Sequence, residues 1–561
     1  MASAGGNAEV RSIADHTLPR IDEESPSPPR HRSLAGNRAA LVAFGAVEAI
    51  ALPLMLWWDR GTWFQLDDWD FLATRTGGNV GDLLRPHFEH WTTLPILAYR
   101  LMWLLFGLRS VVPYEALVIV AHLTVAALLR MVMRRAGVGP WLSTLAATLF
   151  VFLGSGAENI LVAFQIAFVG ALAFGLVHLL LADHDGPVGR RDALGLLAGF
   201  AGLMCSGVAV TMVIVVGFAM LMRRSWRVAL LHTAPLGAIY LVWRSFSPKE
   251  TSPAYYHANS PSEVVRFVAV GMRATFRGLG QLPGVGIGLG LLLVVGLAVA
   301  FLSEDRRALR RRAAAPLALL AGAITFLVIT GFYRSGQSNG LALLYKGFGP
   351  EHARTPRYIH IVAAMVLPAL ALAAQALIRH WRQATIAVVA LLLVGLPGNI
   401  DKLAHYADTN RSAFVQSRRP YVLTAPRLPI ARQLPRTLTL GPDLTLGWLI
   451  DSLPSGRIPK PGPRPPAAIA RETLDLALQP SKTPQTTRCH PLLGPTSRVL
   501  EKGETITLRS GNASIVYLPD AGVPSTPKAF APSTLIALAG PLQLRITPTS
   551  TTGNSSATVC G

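Results

Sequence analysis

Three carboxylates lie within four residues of this 561-residue chain, at Asp67, Asp68 and Asp70, between aromatic side chains. They come just after the first long apolar segment, about residues 39–58. Because about 20 mostly apolar residues are enough to cross a bilayer, the carboxylates are predicted to lie at a membrane surface. Carboxylates this close repel one another unless a proton, a metal ion or a cationic partner intervenes. The pattern indicates a general base or a cation site, and a solvated acidic loop is the alternative.

A second polar group follows the acidic cluster in the same loop, at Arg85, His87, Glu89 and His90. These side chains could orient a carboxylate base or contribute to a cation site with Asp70. Two histidines and scattered acids do not form a specific metal motif, so no metal ligand is predicted. A divalent cation is a candidate cofactor only.

A third group, Arg354, Arg357 and Tyr358, stands much later in the chain, at the start of an apolar segment. This loop is predicted to lie outside the cell, where arginine is not needed to set membrane topology. An arginine pair at a helix start is well placed to bind a phosphate. Contact with lipid headgroups is the alternative.

The composition indicates which elements must position these residues. The chain is 51% hydrophobic and only 15% charged, whereas soluble domains carry about 25% charged residues. The net charge of +21 comes largely from arginine clusters between apolar segments. That distribution is typical of positive-inside topology and contact with anionic lipid, and it argues against nucleic-acid binding. We therefore predict a multi-pass plasma-membrane protein.

The predicted fold is mainly α, a bundle of about eleven membrane spans. Residues 92–108 are apolar, but the stretch is short and contains Arg100. We predict that it forms a helix in the outer membrane interface and does not span, because five downstream arginine clusters then lie on the cytoplasmic side. The N-terminus is then cytoplasmic and the C-terminus extracytoplasmic. The predicted spans are about 39–58, 111–133, 140–154, 160–182, 193–205, 207–222, 228–246, 283–302, 314–332, 357–378 and 384–400.

The sequence divides into three regions. Residues 1–38 are polar and rich in Pro, Ser and Arg, and they are predicted to be a disordered cytoplasmic tail. Residues 39–400 form the transmembrane domain, with the acidic motif in an outer loop at 59–110. Residues 401–561 are predicted to be a small β-rich extracytoplasmic module, because short alternating runs follow a Pro-rich linker near 453–466.

The three cysteines add one further prediction. Cys205 lies in an apolar segment and is predicted to be an inert buried side chain. Cys489 and Cys560 both lie in the C-terminal region, where a disulfide suits an oxidising compartment.

This layout resembles the GT-C superfamily, multispanning glycosyltransferases that use polyprenyl-phosphate sugars. The resemblance covers about residues 39–400, and the stretch 157–165 is similar to actinobacterial relatives. Protein O-mannosyltransferases typically carry Asp-Glu in the first loop, so Asp-Asp here leaves the acceptor open. The matching residues are Asp67-Asp68 after the first span, Arg85-Pro86-His87 and His90-Trp91 before the interfacial helix, and Arg354 with Arg357-Tyr358 in a late outer loop.

The resemblance implies an inverting transferase that moves a hexose or pentose from a polyprenyl-phosphate donor to an extracytoplasmic glycan, lipid or protein. Asp67 or Asp68 would be the base, and Asp70 would assist. We favour Asp67 because it stands nearest the apolar segment, where apolar surroundings should raise the pKa of a carboxyl and strengthen it as a base. The predicted substrate-binding residues are Arg85, His87, Glu89, His90, Arg354, Arg357 and Tyr358.

Two other function classes remain open. A transporter or flippase for lipid-linked glycans would use intramembrane polar groups instead, at Glu48, Arg100, Glu115 and His122. A non-catalytic cell-envelope assembly protein would need neither the acidic loop nor these groups.

Overall fold

The computed structural model describes residues 30–75, 78–248, 257–303, 305–336, 349–410, 416–484, 489–549 and 557–560. Its first part is helical, and several helix starts are explained by local sequence. Ser260 accepts a hydrogen bond from the amide of Glu263, and Pro261 occupies the first helical position. The helices up to residue 410 are α1 (Arg30–Asp59), α2 (Val80–Leu84), α3 (Thr93–Phe106), α4 (Val112–Arg135), α5 (Pro140–Val151), α6 (Glu158–Leu161), α7 (Ile166–Ala182), α8 (Arg190–Leu203), α9 (Val208–Arg223), α10 (Trp226–Phe246), α11 (Pro261–Gly280), α12 (Val285–Ser303), α13 (Arg306–Arg334), α14 (Pro356–His380), α15 (Ala384–Leu393) and α16 (Leu396–Asn410).

The structure confirms a membrane protein of mainly helical class with a β-rich C-terminal region. Each of the eleven predicted spans overlaps helical structure, although residues 160–182 include parts of both α6 and α7, and residues 384–400 include α15 and the start of α16. Within the described residues seven helical segments are long and apolar enough to cross a membrane. Several others, such as α5 with 12 residues, are shorter. The 14 residues of α3 extend about 21 Å, less than the roughly 30 Å of hydrocarbon in a bilayer. That length suits the predicted interfacial position. Helix α14 is the most buried of the seven, since 89% of its 18-residue apolar stretch lies inside the protein.

Two predicted boundaries differ from the structure. The first helix begins at Arg30, so residues 30–38 are helical rather than part of a disordered tail, while residues 1–29 lie outside the described residues. The last span does not end near residue 400, because helical structure continues to Asn410. The prediction ended each span where the apolar run ends, so it missed the polar residues by which these two helical segments extend further.

The C-terminal region begins with helices rather than strands. These are α17 (Gln416–Thr424), α18 (Leu446–Ser452) and α19 (Pro466–Ala477), and a two-stranded hairpin of β1 (Thr439–Gly441) and β2 (Leu444–Thr445) precedes α18. The remaining strands are β3 (Leu478–Pro480), β4 (His490–Pro491), β5 (Thr496–Leu500), β6 (Thr505–Ser510), β7 (Ala513–Tyr517), β8 (Lys528–Phe530), β9 (Ser533–Ala537), β10 (Leu542–Pro548) and β11 (Thr558–Cys560).

The strands form two antiparallel sheets, ordered β5-β10-β7-β8 and β3-β9-β6-β11-β4. The predicted alternation is clear in β10, where Leu542, Leu544 and Ile546 are buried and the residues between them are exposed. A disulfide joins Cys489 to Cys560, with an S–S distance of 2.04 Å. Cys205 is buried with a free thiol.

The Pro-rich stretch near 453–466 is docked against α3. Leu108 donates a backbone hydrogen bond to the carbonyl of Arg457 at 2.9 Å, directly after the end of that helix. Buried side chains from residues 422–458 share one hydrophobic core with aromatic side chains of the acidic loop. The first part of the C-terminal region therefore packs on the loop that carries the three carboxylates.

Candidate active site

Aromatic side chains fix the loop that follows α1. Trp63, Phe64 and Trp69 are buried, with the rings of Trp63 and Trp69 5.5 Å apart and Phe64 packed 4.9 Å from Tyr114 of α4. Between them Leu66 has φ +42 and is 51% exposed. A positive φ is unusual for leucine and persists only where the surrounding structure enforces it. The aromatic packing thus holds a strained turn immediately before Asp67.

Asp67 presents a carboxylate without a fixed partner. Its side chain is half-buried, and within the described residues it makes no hydrogen bond or ion pair. It interacts electrostatically with Arg357 at the start of α14. A half-exposed carboxylate with unused acceptor positions is available to a substrate, which is the property that a general base needs.

Asp68, the next residue, is buried and held on both oxygens. The hydroxyl of Tyr99 donates to Oδ1 at 2.5 Å, and the amide of Gln65 donates to Oδ2 at 2.8 Å. Burial raises the pKa of Asp68 to about 7, although both hydrogen bonds act in the opposite direction. Asp68 is therefore placed to hold the loop rather than to contact a substrate.

Asp70 is also committed to contacts within the protein. Its Oδ2 accepts from Nε of Arg75 at 2.8 Å and lies 2.7 Å from Nδ1 of His87, and Oδ1 accepts from the hydroxyl of Thr74. Burial alone would raise the pKa of Asp70, but the His87 hydrogen bond and the Arg75 charge outweigh it and lower the pKa to about 2. These contacts favour a positioning role for Asp70 over the catalytic one that we predicted.

The network around Asp70 ties the acidic loop to the second polar group. Arg75 also donates to the carbonyl of Pro86 at 2.9 Å, while the guanidinium of Arg85 lies 3.7 Å from Asp70. Of these groups Arg85 remains partly exposed, at 35%. His87 is thus a partner of Asp70, and Arg85 is the member of this group that can still contact a ligand.

A tight turn separates His87 from His90. Their backbones exchange two hydrogen bonds of 2.9 and 3.0 Å, and Phe88 between them has φ +50. Glu89 accepts two hydrogen bonds from the guanidinium of Arg334, at 3.1 and 3.0 Å. His90 accepts from the amide of Gly207 at 3.2 Å, and burial lowers its pKa below the ordinary value. The predicted substrate-binding residues Glu89 and His90 therefore anchor the loop to α13 and α9.

The two outer arginines have separate carboxylate partners. Arg354 is about half exposed and pairs with Glu351. Arg357 donates to Glu158 at 3.2 Å, and its guanidinium lies 5.4 Å from the ring centroid of Tyr358. The two arginines predicted to bind a phosphate thus each have a carboxylate partner within the protein, and Arg357 is the one that interacts with Asp67. Tyr358 is buried next to Arg357.

A buried polar chain holds the backbone at Arg357. The amide of Asn159 donates to the Arg357 carbonyl at 3.0 Å and lies 3.3 Å from Nδ1 of His360. Nε2 of His360 lies 3.0 Å from Nδ1 of His122, and Nε2 of His122 lies 2.9 Å from the carbonyl oxygen of Val151. The start of α14 is thus fixed from the bundle core.

Sequence reasoning missed two residues of this region. Arg334 ends α13 on the predicted outer side, where a lone arginine is as unexpected as Arg354, and that signal was available. Asp443 lies at the tip of the β1–β2 hairpin and interacts electrostatically with Asp70, His87 and Asp67. Partial burial and the charge of Asp70 raise its pKa. No local pattern marks Asp443, because its position depends on packing over more than 370 residues of chain.

The arrangement combines the carboxylate of Asp67 with two arginines. Asp67 interacts electrostatically with Arg357, and the charges of Arg357 and Arg334 both act on His90 and His352. Among the described residues no group of three or more His, Cys, Asp or Glu side chains is arranged to hold a metal ion. Base catalysis beside a bound anion is the chemistry that these residues suit.

Comparison with known proteins gives little beyond this geometry. No family model and no curated protein matches the sequence. A crystal structure of ArnT from Cupriavidus metallidurans bound to undecaprenyl phosphate is similar at 16% identity and a TM-score of 0.39, over 73% of this chain and 84% of that chain. Because this similarity is low, nothing is inferred from ArnT about this chain, and the function is inferred from the residues of the site.

Proposed function

We propose that this protein is a membrane glycosyltransferase of the GT-C type. It would transfer a hexose or pentose from a polyprenyl-phosphate donor to a hydroxyl of an extracytoplasmic glycan, lipid or protein. One observation carries the proposal: among the described residues the carboxylate of Asp67 makes no hydrogen bond or ion pair, and it interacts electrostatically with Arg357 at the start of α14.

The reaction needs two groups that this site can supply. As the acceptor oxygen bonds to the anomeric carbon, its proton passes to the Asp67 carboxylate. The bond between that carbon and the phosphate oxygen breaks, and the electron pair leaves with the polyprenyl phosphate. Positive charge from Arg357, with Arg334 and Arg85 nearby, would stabilise the departing phosphate. Attack from the side opposite the leaving group inverts the anomeric centre, as the family resemblance implies.

A lipid-linked donor also accounts for the position of the site. The acidic loop joins α1 to the short apolar helix α3, so a phosphate near Asp67 could remain attached to a lipid chain between helices. A soluble sugar nucleotide would not need an apolar surround. The predicted extracytoplasmic side follows from the arginine distribution.

The transporter alternative is weakened by the contacts of the groups it would use. Arg100 donates to the carbonyls of Phe71 and Leu72 at 2.8 and 2.7 Å, so it supports the acidic loop. Glu115 accepts from Thr62 at 2.6 Å, close to the same loop. His122 is buried against His360, and Glu48 interacts with Arg130 elsewhere in the bundle. Arg100 and Glu115 thus stabilise the acidic loop, whereas His122 and Glu48 have partners elsewhere in the bundle.

The proposal is tested by sugar transfer in a purified system. The full chain in nanodiscs containing anionic lipid would be incubated with synthetic decaprenyl-phosphoryl pentoses and hexoses, and donor consumption would be measured with methyl glycosides as acceptors. Replacing Asp67 by Asn removes the base and should lower transfer by about 10²–10⁴-fold. Asp520→Asn, which changes an exposed carboxylate in the loop between β7 and β8, is the matched control and should keep full activity. Full transfer by Asp67→Asn would remove the catalytic interpretation of this loop.

The third class, a non-catalytic assembly protein, predicts a different result. Wild-type protein would then bind decaprenyl phosphate weakly or not at all in native mass spectrometry, and Arg357→Ala would not change the binding. The transferase proposal predicts that Arg357→Ala weakens binding about tenfold or more, because a charge-assisted hydrogen bond to phosphate is lost. Arg545→Ala, on the exposed face of β10, is the control for net charge.

A further inference from the structure

The β1–β2 hairpin is anchored to the acidic loop by apolar packing. Leu440 and Leu444, on either side of the hairpin tip, are buried in the core that contains Trp69 and Phe71. Strand β2 contacts the turn at Asp70–Thr74. The tip is therefore held beside the site by the strands that flank it.

Trp448, three residues after β2, stabilises this arrangement. Its ring centroid lies 6.5 Å from Trp69 of the acidic loop and 5.2 Å from Trp103 of α3. Aromatic contacts of this kind stabilise packing beyond the area they bury. The C-terminal region is thus a fixed wall of the site at this point.

Asp443 at the hairpin tip has an exposed carboxylate. Within the described residues it makes no hydrogen bond or ion pair, unlike Asp68 and Asp70. Its φ of +57 is a conformation that aspartate tolerates better than most residues, so the hairpin can present this side chain without a glycine. Asp443 and Asp67 interact electrostatically, and within the described residues neither carboxylate has a hydrogen-bond or ion-pair partner.

The surrounding charge argues against a site for a cation. Arg75, Arg85 and Arg357 lie among the four aspartates, so the region is not strongly acidic overall. A carboxylate can only accept hydrogen bonds, and a neutral sugar offers several hydroxyl donors close together. Two carboxylates at neighbouring positions could accept from two hydroxyls of one sugar ring.

We propose that Asp443 binds the acceptor, by accepting a hydrogen bond from a hydroxyl next to the one that Asp67 deprotonates. The acceptor is accordingly a glycan, and the C-terminal region contributes directly to its selection. This inference rests on the proposed glycosyl transfer and deepens it by naming the acceptor class.

The test separates acceptor binding from the transfer step itself. The full chain in nanodiscs would use whichever decaprenyl-phosphoryl sugar the wild type consumes, with a methyl glycoside and its monodeoxy analogues as acceptors. Asp443→Asn and Asp443→Gly both tolerate the positive φ. Each should raise the acceptor KM about tenfold or more while leaving slow donor hydrolysis by water unchanged, because loss of a hydrogen bond to a charged group costs about 1.5–3 kcal/mol. Glu501→Gln, at an exposed turn after β5, is the control.

The deoxy analogues identify the hydroxyl. One analogue should show the raised KM with wild-type protein and no further rise with Asp443→Asn, since the two changes remove the same contact. An unchanged acceptor KM in both Asp443 variants would overturn this inference alone. Transfer to amino acceptors but to no methyl glycoside would also overturn it. Absence of donor consumption by the wild type would instead contradict the proposed function.

Discussion

Asp67 and Asp68 are adjacent in the sequence, yet their surroundings differ. Asp68 is 2% exposed and hydrogen-bonded by Tyr99 and Gln65, whereas Asp67 is half-buried with no fixed partner. The turn at Leu66 directs the two side chains into these environments. Our preference for Asp67 as the base now rests on its free carboxylate, while the sequence argument relied on proximity to the apolar segment.

The buried state of Asp68 predicts a dependence of stability on pH. Its pKa of about 7 lies above the ordinary value of 3.8, so the folded protein binds this proton more tightly than the unfolded chain does. The resulting stabilisation is complete below about pH 4 and is lost as the pH rises towards about 7. The effect of Asp70 on stability has the opposite pH dependence, because its pKa is lowered to about 2. The stabilisation from Asp70 is complete above about pH 4 and is lost as the pH falls below that value.

Thermal unfolding in detergent between pH 4.5 and 7.5 measures the Asp68 contribution. We expect the melting temperature of the wild type, relative to Asp68→Asn, to fall as the pH rises through this range. Asp520→Asn should follow the wild type at every pH. A constant difference between wild type and Asp68→Asn would show that Asp68 does not carry the buried proton.

At the scale of elements, the contact between α3 and the Pro-rich stretch depends on a glycine. Gly107 has φ +59, and a Cβ there would lie 2.3 Å from the carbonyl oxygen of Arg457. Gly107→Ala should therefore displace the stretch near 453–466 and destabilise the protein by about 1–3 kcal/mol. Limited proteolysis should cut this stretch faster in the variant.

Gly462→Ala is the matched control for that experiment. A Cβ at Gly462 meets no heavy atom within 4 Å, and this residue lies in the same Pro-rich stretch. We expect wild-type proteolysis and stability. Equal resistance of Gly107→Ala and wild type would mean that the C-terminal region is not held by this contact.

The sequence predicted elements better than their contacts. Apolar length located helical structure at all eleven predicted spans, and alternation located β6 and β10. It did not show that residues 416–458 fold against the acidic loop, because residues 401–561 were assigned to one separate β-rich module with a Pro-rich linker near 453–466. Asp443, and the Arg334–Glu89 pair at 3.0 Å, depend on long-range packing that local periodicity does not encode.

At the scale of the whole molecule, the prediction that stays open is the direction of insertion. Reporters fused after Leu302 or Arg382 should be cytoplasmic, and a reporter after Asp401 should be extracytoplasmic, because the arginine clusters stay inside. Protease protection in intact cells measures this. Labelling of the segment from Arg306 to Arg312 from outside would reverse the topology and place the acidic loop in the cytoplasm.

We propose that the acidic loop and Arg357 form a site for a lipid phosphate. Electron cryomicroscopy of the full chain in nanodiscs with decaprenyl phosphate would show where the phosphate binds. We predict phosphate density in contact with the Arg357 guanidinium and next to the carboxylate of Asp67, with the lipid tail continuing between the membrane helices. Phosphate density midway through the bundle, away from Asp67 and Arg357, would contradict the transferase site and favour a transport path.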